Sequence, residues 1–341
     1  MSKEILKSGT LIVFFFGRER TKKEKKMNKL FKRFAAISLS TMIAFGLISC
    51  GNNAEKKDNT ANQSSQVGEV VYPVTITDSF GKEVTLDKEP KKIISVAPNI
   101  TEMIYELGAE GKLVGRTDYC DYPKEVTNIE SIGNLMTPDI EKIISLEPDL
   151  VITSTHFDKE NTAKLEAAGI KIIGLYEEHD VDGVYTMMET LGKALNKQDE
   201  ATKDVAAMKA TIKEVTDAVK DLEEPTVYYV VGYGEYGDFS APENTFAGEI
   251  IKLAGGDNIV PAQDNWSYSL EALLEADPEI IIIGNGMKDG FETAEGYKEL
   301  TAVKEGKVYE IDNNLIDRQG YRNAEGVMTL AKIFHPEAFQ Q

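Results

Sequence analysis

Between residues 71 and 90, Val74 and Ile76 alternate with Thr75 and Thr77, then Ser79-Phe80-Gly81-Lys82 reads as a turn before a second short run, 84–86. Period-two alternation on both sides of a Gly-containing turn predicts a β-hairpin. From residue 93 the pattern changes. The runs 93–97, 113–115, 150–153 and 170–175 are extended and mostly apolar, and helical patterns cover 101–107, 139–146 and 160–168. Apolar strands without alternation, set between helices, predict a mainly parallel sheet covered on both faces.

Residues 181–222 break this rhythm. They contain no Pro and are rich in Ala, Lys, Glu, Met and Leu, which reads as one long helix or two helices abutting near Asn196. After Glu224-Pro225 the alternation resumes. Strands are predicted at 227–231, 280–283 and 308–311, and helices at 246–253, 270–275 and 324–334.

The two halves echo each other. The segment from Glu141 to Ile152 (EKIISLEPDLVI) aligns without gaps on the segment from Glu271 to Ile282 (EALLEADPEIII), at an offset of 130 residues. Each is a short helix, a Pro-acid stop and an apolar strand. The predicted fold class is therefore α/β: two similar lobes with mainly parallel sheets, joined by one long rigid helix, with a ligand cleft between the lobes. The boundaries expected are 71–178 for the N-terminal lobe, 179–224 for the connecting helix and 225–341 for the C-terminal lobe.

The first 70 residues follow another plan. Lys29, Lys32 and Arg33 precede a short apolar run, 34–48, too short to span a bilayer comfortably. The run ends in Leu47-Ile48-Ser49-Cys50-Gly51, which resembles the lipobox of bacterial lipoproteins. That resemblance implies a signal peptide over 27–50, lipidation of Cys50 and a membrane-anchored product facing the periplasm or cell exterior. Residues 51–70 are polar and read as a flexible tether. A second apolar patch and a Lys/Arg cluster in residues 1–26 precede a complete signal peptide, so translation is expected to start at Met27 and 1–26 to be an untranslated extension.

Charge narrows the partners. The chain of 341 residues carries a net charge of −19, with 38 Lys+Arg and 57 Asp+Glu. Residues 1–50 hold 11 of the bases and 3 of the acids, leaving 27 against 54, a net −27. So acidic a body excludes nucleic acid, which needs a basic face, and suits a partner with basic docking patches. Cys50 and Cys120 sit in unlike settings, and neither has a Cys or His at metal-ligand spacing. No disulfide, metal site or cofactor is read from them.

The assembled motifs resemble the cobalamin and iron-siderophore class of substrate-binding proteins of ABC importers, over roughly residues 71–340. They are Ser95-Val96-Ala97-Pro98-Asn99-Ile100-Thr101-Glu102, Val114-Gly115-Arg116 leading to Asp121-Tyr122-Pro123, Ile132-Gly133, the run from Leu146 to Ile152, the run from Leu253 to Ile259, and Trp266 ahead of Ser269-Leu270-Glu271. Tyr119-Cys120-Asp121-Tyr122-Pro123 and Trp266 most resemble the vitamin B12-binding branch. The resemblance implies a monomer that captures cobalamin or an iron siderophore and delivers it to a permease dimer with its ATPase.

It also implies roles for residues. Glu141 and Glu271 would each pair with an Arg pocket on a permease subunit, although a carboxylate at a helix start also has the dipole to stabilise it. Tyr119, Tyr122 and Trp266 suit a large ring in the cleft, or the core. Pro98, Asn99 and Thr101 follow a strand end, where ligands lie in α/β sheets, and Asn99 or Thr101 could equally cap the helix. Arg318 and Arg322 would suit an anionic siderophore, or form a surface pair. Relatives often carry Arg-Pro-Gly-Pro-Arg there, against Arg318-Gln319-Gly320-Tyr321-Arg322 here. In a haem-binding branch a Met near Met136 ligates iron opposite a His of the second lobe, where the sole candidate is His335; His156 and His179 read as surface residues.

An enzyme needs a nucleophile and base or an open metal site. No Gly-x-Ser-x-Gly elbow, phosphate loop or His-rich motif is present, and Cys120 has no base nearby in sequence. The chain reads as a non-enzyme.

Overall fold

The structure, a computed structural model, describes residues 70–155, 157–177, 179–235 and 237–340. The expectations for 1–26, 27–50, 51–69, Cys50 and His156 lie outside the described residues. The alternating segment forms a hairpin, β1 (Val74–Thr77) against β2 (Glu83–Leu86), with Val74 opposite Leu86. Buried Asp78 ties it to the first lobe, its Oδ2 accepting from the Gly174 N–H at 3.1 Å.

The N-terminal lobe is a parallel sheet in the order β4 (Leu113–Arg116), β3 (Ile93–Ser95), β5 (Leu150–Thr153), β6 (Lys171–Gly174). The C-terminal lobe has a parallel sheet in the order β8 (Asp257–Asn258), β7 (Thr226–Val230), β9 (Ile280–Gly284), β10 (Val308–Ile311). In each lobe the first strand pairs with the second and third, and the fourth lies beyond the third. The central strands are buried on both faces, every residue of β3, β5 and β9 included, as unbroken apolar runs require.

The repeat holds in detail. Asp139 caps the helix Ile140–Ser145 by accepting from the Lys142 N–H, and Ser269 caps Leu270–Ala276 by accepting from the Ala272 N–H. Glu147 and Asp277, equivalent in the repeat, both leave their helices with positive φ, 51° and 38°. Asp149 then accepts from the Lys91 and Lys92 N–H groups, and its counterpart Glu279 from the Thr226 N–H.

The connector differs from one long helix. It is two helices, Val181–Leu195 and Gln198–Val219, reversed at Asn196 (φ 60°). Asparagine tolerates the left-handed conformation that ends a helix. The helices run back along each other: the Lys209 ammonium, thirteen residues after Asn196, lies 4.7 Å from the Tyr185 ring centre, eleven before it. Gly192 permits their close approach, since a Cβ there would meet the Ala201 Cβ at 2.6 Å and the Lys197 carbonyl oxygen at 2.9 Å. The second helix packs along the last helix, Asn323–Phe334. A single buried apolar cluster runs from Ile93 and Met103 through Met188 and Met208 to Val327 and Phe334, spanning both lobes.

Candidate functional site

Ligand sites in open α/β sheets lie beyond the carboxyl ends of the strands, and here those ends of the two lobes meet. The helix Pro98–Glu106 follows β3, with Pro98 in its first turn and Glu102 projecting from it. Arg318 and Arg322 follow β10. Arg318 Nη1 donates to Glu102 Oε1 at 2.8 Å and to Asp121 Oδ1 at 2.7 Å. Arg322 Nε donates to Glu102 Oε2 at 2.8 Å, Nη1 to Asp312 Oδ2 at 3.2 Å, and its guanidinium covers the Tyr122 ring at 4.0 Å. Gln319 and Glu177 exchange hydrogen bonds beside them, Gln319 Nε2 donating to the Glu177 carbonyl and the Glu177 N–H to Gln319 Oε1.

The two arginines are therefore not free cations awaiting an anion. One carboxylate from the N-terminal lobe neutralises part of both. Burial pushes the Glu102 carboxyl up, opposed by the two guanidiniums. Burial acts to lower Arg318, but Asp121 and Glu102 hold it above its usual value. In the sequence Glu102 stands only as the last residue of the Ser95–Glu102 motif, with no role of its own. The available signal was a carboxylate on a helix whose neighbours Ile100, Thr101, Met103 and Ile104 are all buried.

Two further expectations are corrected. Thr101 is fully buried, its hydroxyl within hydrogen-bond reach of Ser95 Oγ (2.8 Å), Cys120 Sγ (3.0 Å) and the Ala97 carbonyl (3.2 Å). Its hydroxyl is engaged within the packing under the strand end. Pro98 is likewise buried, starting the helix. The N-cap is Ala97, without a side-chain cap, so neither Asn99 nor Thr101 caps that helix. Asn99 is half-buried.

Of the three aromatic residues, Tyr122 lines a cavity beside the ion pairs, and Tyr119 and Trp266 do not. Tyr119 follows β4 half-buried, its hydroxyl accepting from Asn134 Nδ2 at 3.2 Å. Tyr122 is 48% exposed. Trp266 is half-buried against the shared apolar cluster, and its carbonyl accepts from the Ser240 N–H at 2.8 Å. A cavity of about 330 Å³ beside the ion pairs is lined from both lobes by Glu102, Tyr122, Met208, Tyr321, Arg322 and Met328. A larger one, about 750 Å³, lies against the end of the second connecting helix and is lined by Thr216, Lys220, Glu224 and Lys252. It does not touch the strand ends and belongs to another face.

The remaining chemistry-bearing residues are accounted for by packing. Cys120 is a free, buried thiol pushed up by burial, the opposite of an activated nucleophile. His335 is buried with Nε2 2.9 Å from the Gly255 carbonyl. His179 is exposed, its Nδ1 3.2 Å from the Asn244 carbonyl. Met136 is 58% exposed. Glu141 and Glu271 are both exposed on their short helices, and neither makes an ion pair or side-chain hydrogen bond among the described residues.

Comparison with known proteins fits this architecture. A family model described as periplasmic binding protein matches residues 93–315. An uncharacterized ABC transporter substrate-binding lipoprotein, YvrC, of Bacillus subtilis (strain 168) is 34% identical over 316 residues, 90% of this chain and 98% of its own length. A cobalamin-binding protein of Halobacterium salinarum is 27% identical over 77% of this chain and 74% of its own. The periplasmic heme-binding protein RhuT from Roseiflexus sp. RS-1 has the same fold, with a TM-score of 0.65 and 24% identity over 73% of this chain and 99% of its own. This chain belongs to the periplasmic binding protein family and is a substrate-binding protein of an ABC importer, working outside the cytoplasmic membrane and not an enzyme.

Proposed function

We propose that the protein captures cobalamin or a related corrinoid and delivers it to its permease, docking through Glu141 on one lobe and Glu271 on the other, while Cys50 carries a lipid anchor. The observation that supports a corrinoid over an anionic siderophore is the engagement of Arg318 and Arg322 by Glu102. A ferric siderophore would have to displace that carboxylate to reach them. A corrinoid needs aromatic surface and hydrogen bonds to its amide arms, and Tyr119, Tyr122 and Trp266 offer the first. The anchor draws support from the lipoprotein YvrC.

Calorimetry with cyanocobalamin at low and high salt tests the ligand. Binding should change little with salt, because no exposed charge pair is formed. Trp266→Ala should weaken it on the order of ten-fold, the worth of a lost aromatic contact. No heat with cyanocobalamin, together with salt-sensitive binding of a ferric siderophore that Arg322→Ala abolishes, would replace the corrinoid by the siderophore.

A further inference from the structure

The two short helices carry more than a carboxylate each. From Asp139 to Leu150 and from Ser269 to Ile280, the alternation of exposed, half-buried and buried positions matches residue for residue, apart from small differences at the pairs Leu146/Ala276 and Asp149/Glu279. Within that repeat, Ile144 is 38% exposed and Leu274 is 39% exposed. They are equivalent at the offset of 130, and each stands three residues after its glutamate, hence on the same helix face. Ile143 and Leu273, by contrast, are fully buried beneath them. Each lobe therefore presents a carboxylate that is unpaired among the described residues, with an aliphatic side chain one turn along.

Isolated exposed aliphatics are ordinary and mean nothing singly. Here the same pair recurs at the same place on two lobes of the same topology, while the outward neighbours on the helix change: Lys142 is matched by Ala272, and Ser145 by Glu275 at the next exposed site. A charge and an apolar side chain kept together while their neighbour changes form one unit. Two such units fit a partner that itself presents one site twice.

We propose that Ile144 and Leu274 are apolar anchors, each seating in a recess beside the basic pocket on one subunit of the two-fold symmetric permease. The proposal rests on the docking reading given above and adds the second component of each contact. Charge in such a contact sets encounter rate and register and is screened by salt, whereas the buried aliphatic group sets residence time and is not. The carboxylates orient the protein on the importer and the anchors hold it there. The anchor is apolar in both lobes but differs in shape, β-branched on one and γ-branched on the other, so the two recesses need not be filled identically.

The test is binding of the purified full-length chain to nanodiscs holding its cognate permease dimer and ATPase, measured without ligand as a dissociation constant across a salt series. Ile144→Ser and Leu274→Ser should each weaken binding several-fold, and the pair on the order of thirty-fold, with the slope of affinity against salt unchanged. Ile144→Leu and Leu274→Ile should restore most of it. Glu141→Gln with Glu271→Gln should weaken binding and flatten the salt slope. All four sites are exposed, so unfolding temperatures should stay within a degree or two of the parent. If the glutamate variants weaken binding and the serine variants do not, the anchors are wrong and the docking reading stands. If neither set changes binding, these helices are not the docking face and both fall.

Discussion

Arg318 Nη1 donates to Glu102 Oε1 at 2.8 Å across 216 residues of chain, and Arg322 holds the other oxygen of the same carboxylate. The side chains of Glu102, Arg318 and Arg322 are 11%, 17% and 13% exposed. A carboxylate removed this far from water is stable only while paired, and each guanidinium depends on it in turn. The contact joins the segments that follow β3 and β10, one in each lobe, so it is a clasp between the lobes.

Glu102→Gln should therefore cost about 3 kcal/mol of stability, since it leaves two largely buried guanidiniums with only the more exposed Asp121 and Asp312 as carboxylate partners. Differential scanning calorimetry should show the unfolding temperature falling by roughly 5–10 °C. The same variant frees Arg318 and Arg322 for an anion, and a ferric siderophore should bind it more tightly than it binds the parent. An unchanged unfolding temperature would mean that the clasp contributes nothing.

Another carboxylate, Asp149, contributes to the acid limb. Burial alone would raise Asp149, but the N–H groups of Lys91 and Lys92 and the Lys88 ammonium together hold it below the usual carboxylate range. With its folded value lowered, its contribution is present above the unfolded value of about 4 and is lost as pH falls through the folded one. Asp149→Asn should cost about 1 kcal/mol at neutral pH and flatten the loss of stability below about pH 4. Urea unfolding at pH 7 and pH 3 checks this. An equal cost at both values would show that the charge is not what matters.

Much of this was legible in sequence. The Pro-acid stop repeated at 148–149 and 278–279 gave the two lobes, because a helix end followed by an apolar strand has few alternative readings. The strands 150–153 and 280–283 were legible as apolar runs, and 308–311 by its β-branched and aromatic residues. Strand β8, two residues long, was not, since Asp257-Asn258 has no strand character and is held only by pairing with β7. The reversal at Asn196 was visible only as an alternative, because a single left-handed residue leaves no periodic trace. Arg318 and Arg322 were noticed as a pair, but their partner lies over 200 residues away on another element, and no local pattern records it. Thr101 was misplaced for a related reason: following a strand end is a matter of sequence, while facing inward depends on the helix phase set by Pro98.

The anchor prediction concerns Cys50. Cys50→Ala should abolish incorporation of radiolabelled palmitate and either release the protein from the membrane fraction or stall its processing. Among the described residues no helix is long and apolar enough to cross a membrane, so none of them supplies a second hold. Palmitate retained in the Ala variant would move the lipid to another site.

The last prediction concerns motion. Binding proteins hinged on loops close by rotating their lobes about a few backbone bonds. Here three features oppose that. The buried cluster from Ile93 to Phe334 is continuous across the lobes, so opening them would expose apolar surface at about 25 cal/mol per Å². The connecting helices touch at Gly192 and Ala201 with no room for a methyl group. The Glu102 clasp adds charge pairing on the same junction. Spin labels placed at Ser145 and Glu275, on equivalent exposed positions of the two lobes, should change separation by less than about 2 Å when ligand binds. Gly192→Ala should destabilise by about 1–3 kcal/mol through overpacking and broaden the distance distribution in the free protein, since it loosens the hairpin without touching the site. A shift of many ångströms in the parent on binding would show that the lobes are hinged after all, and that the shared apolar cluster yields more readily than its burial implies.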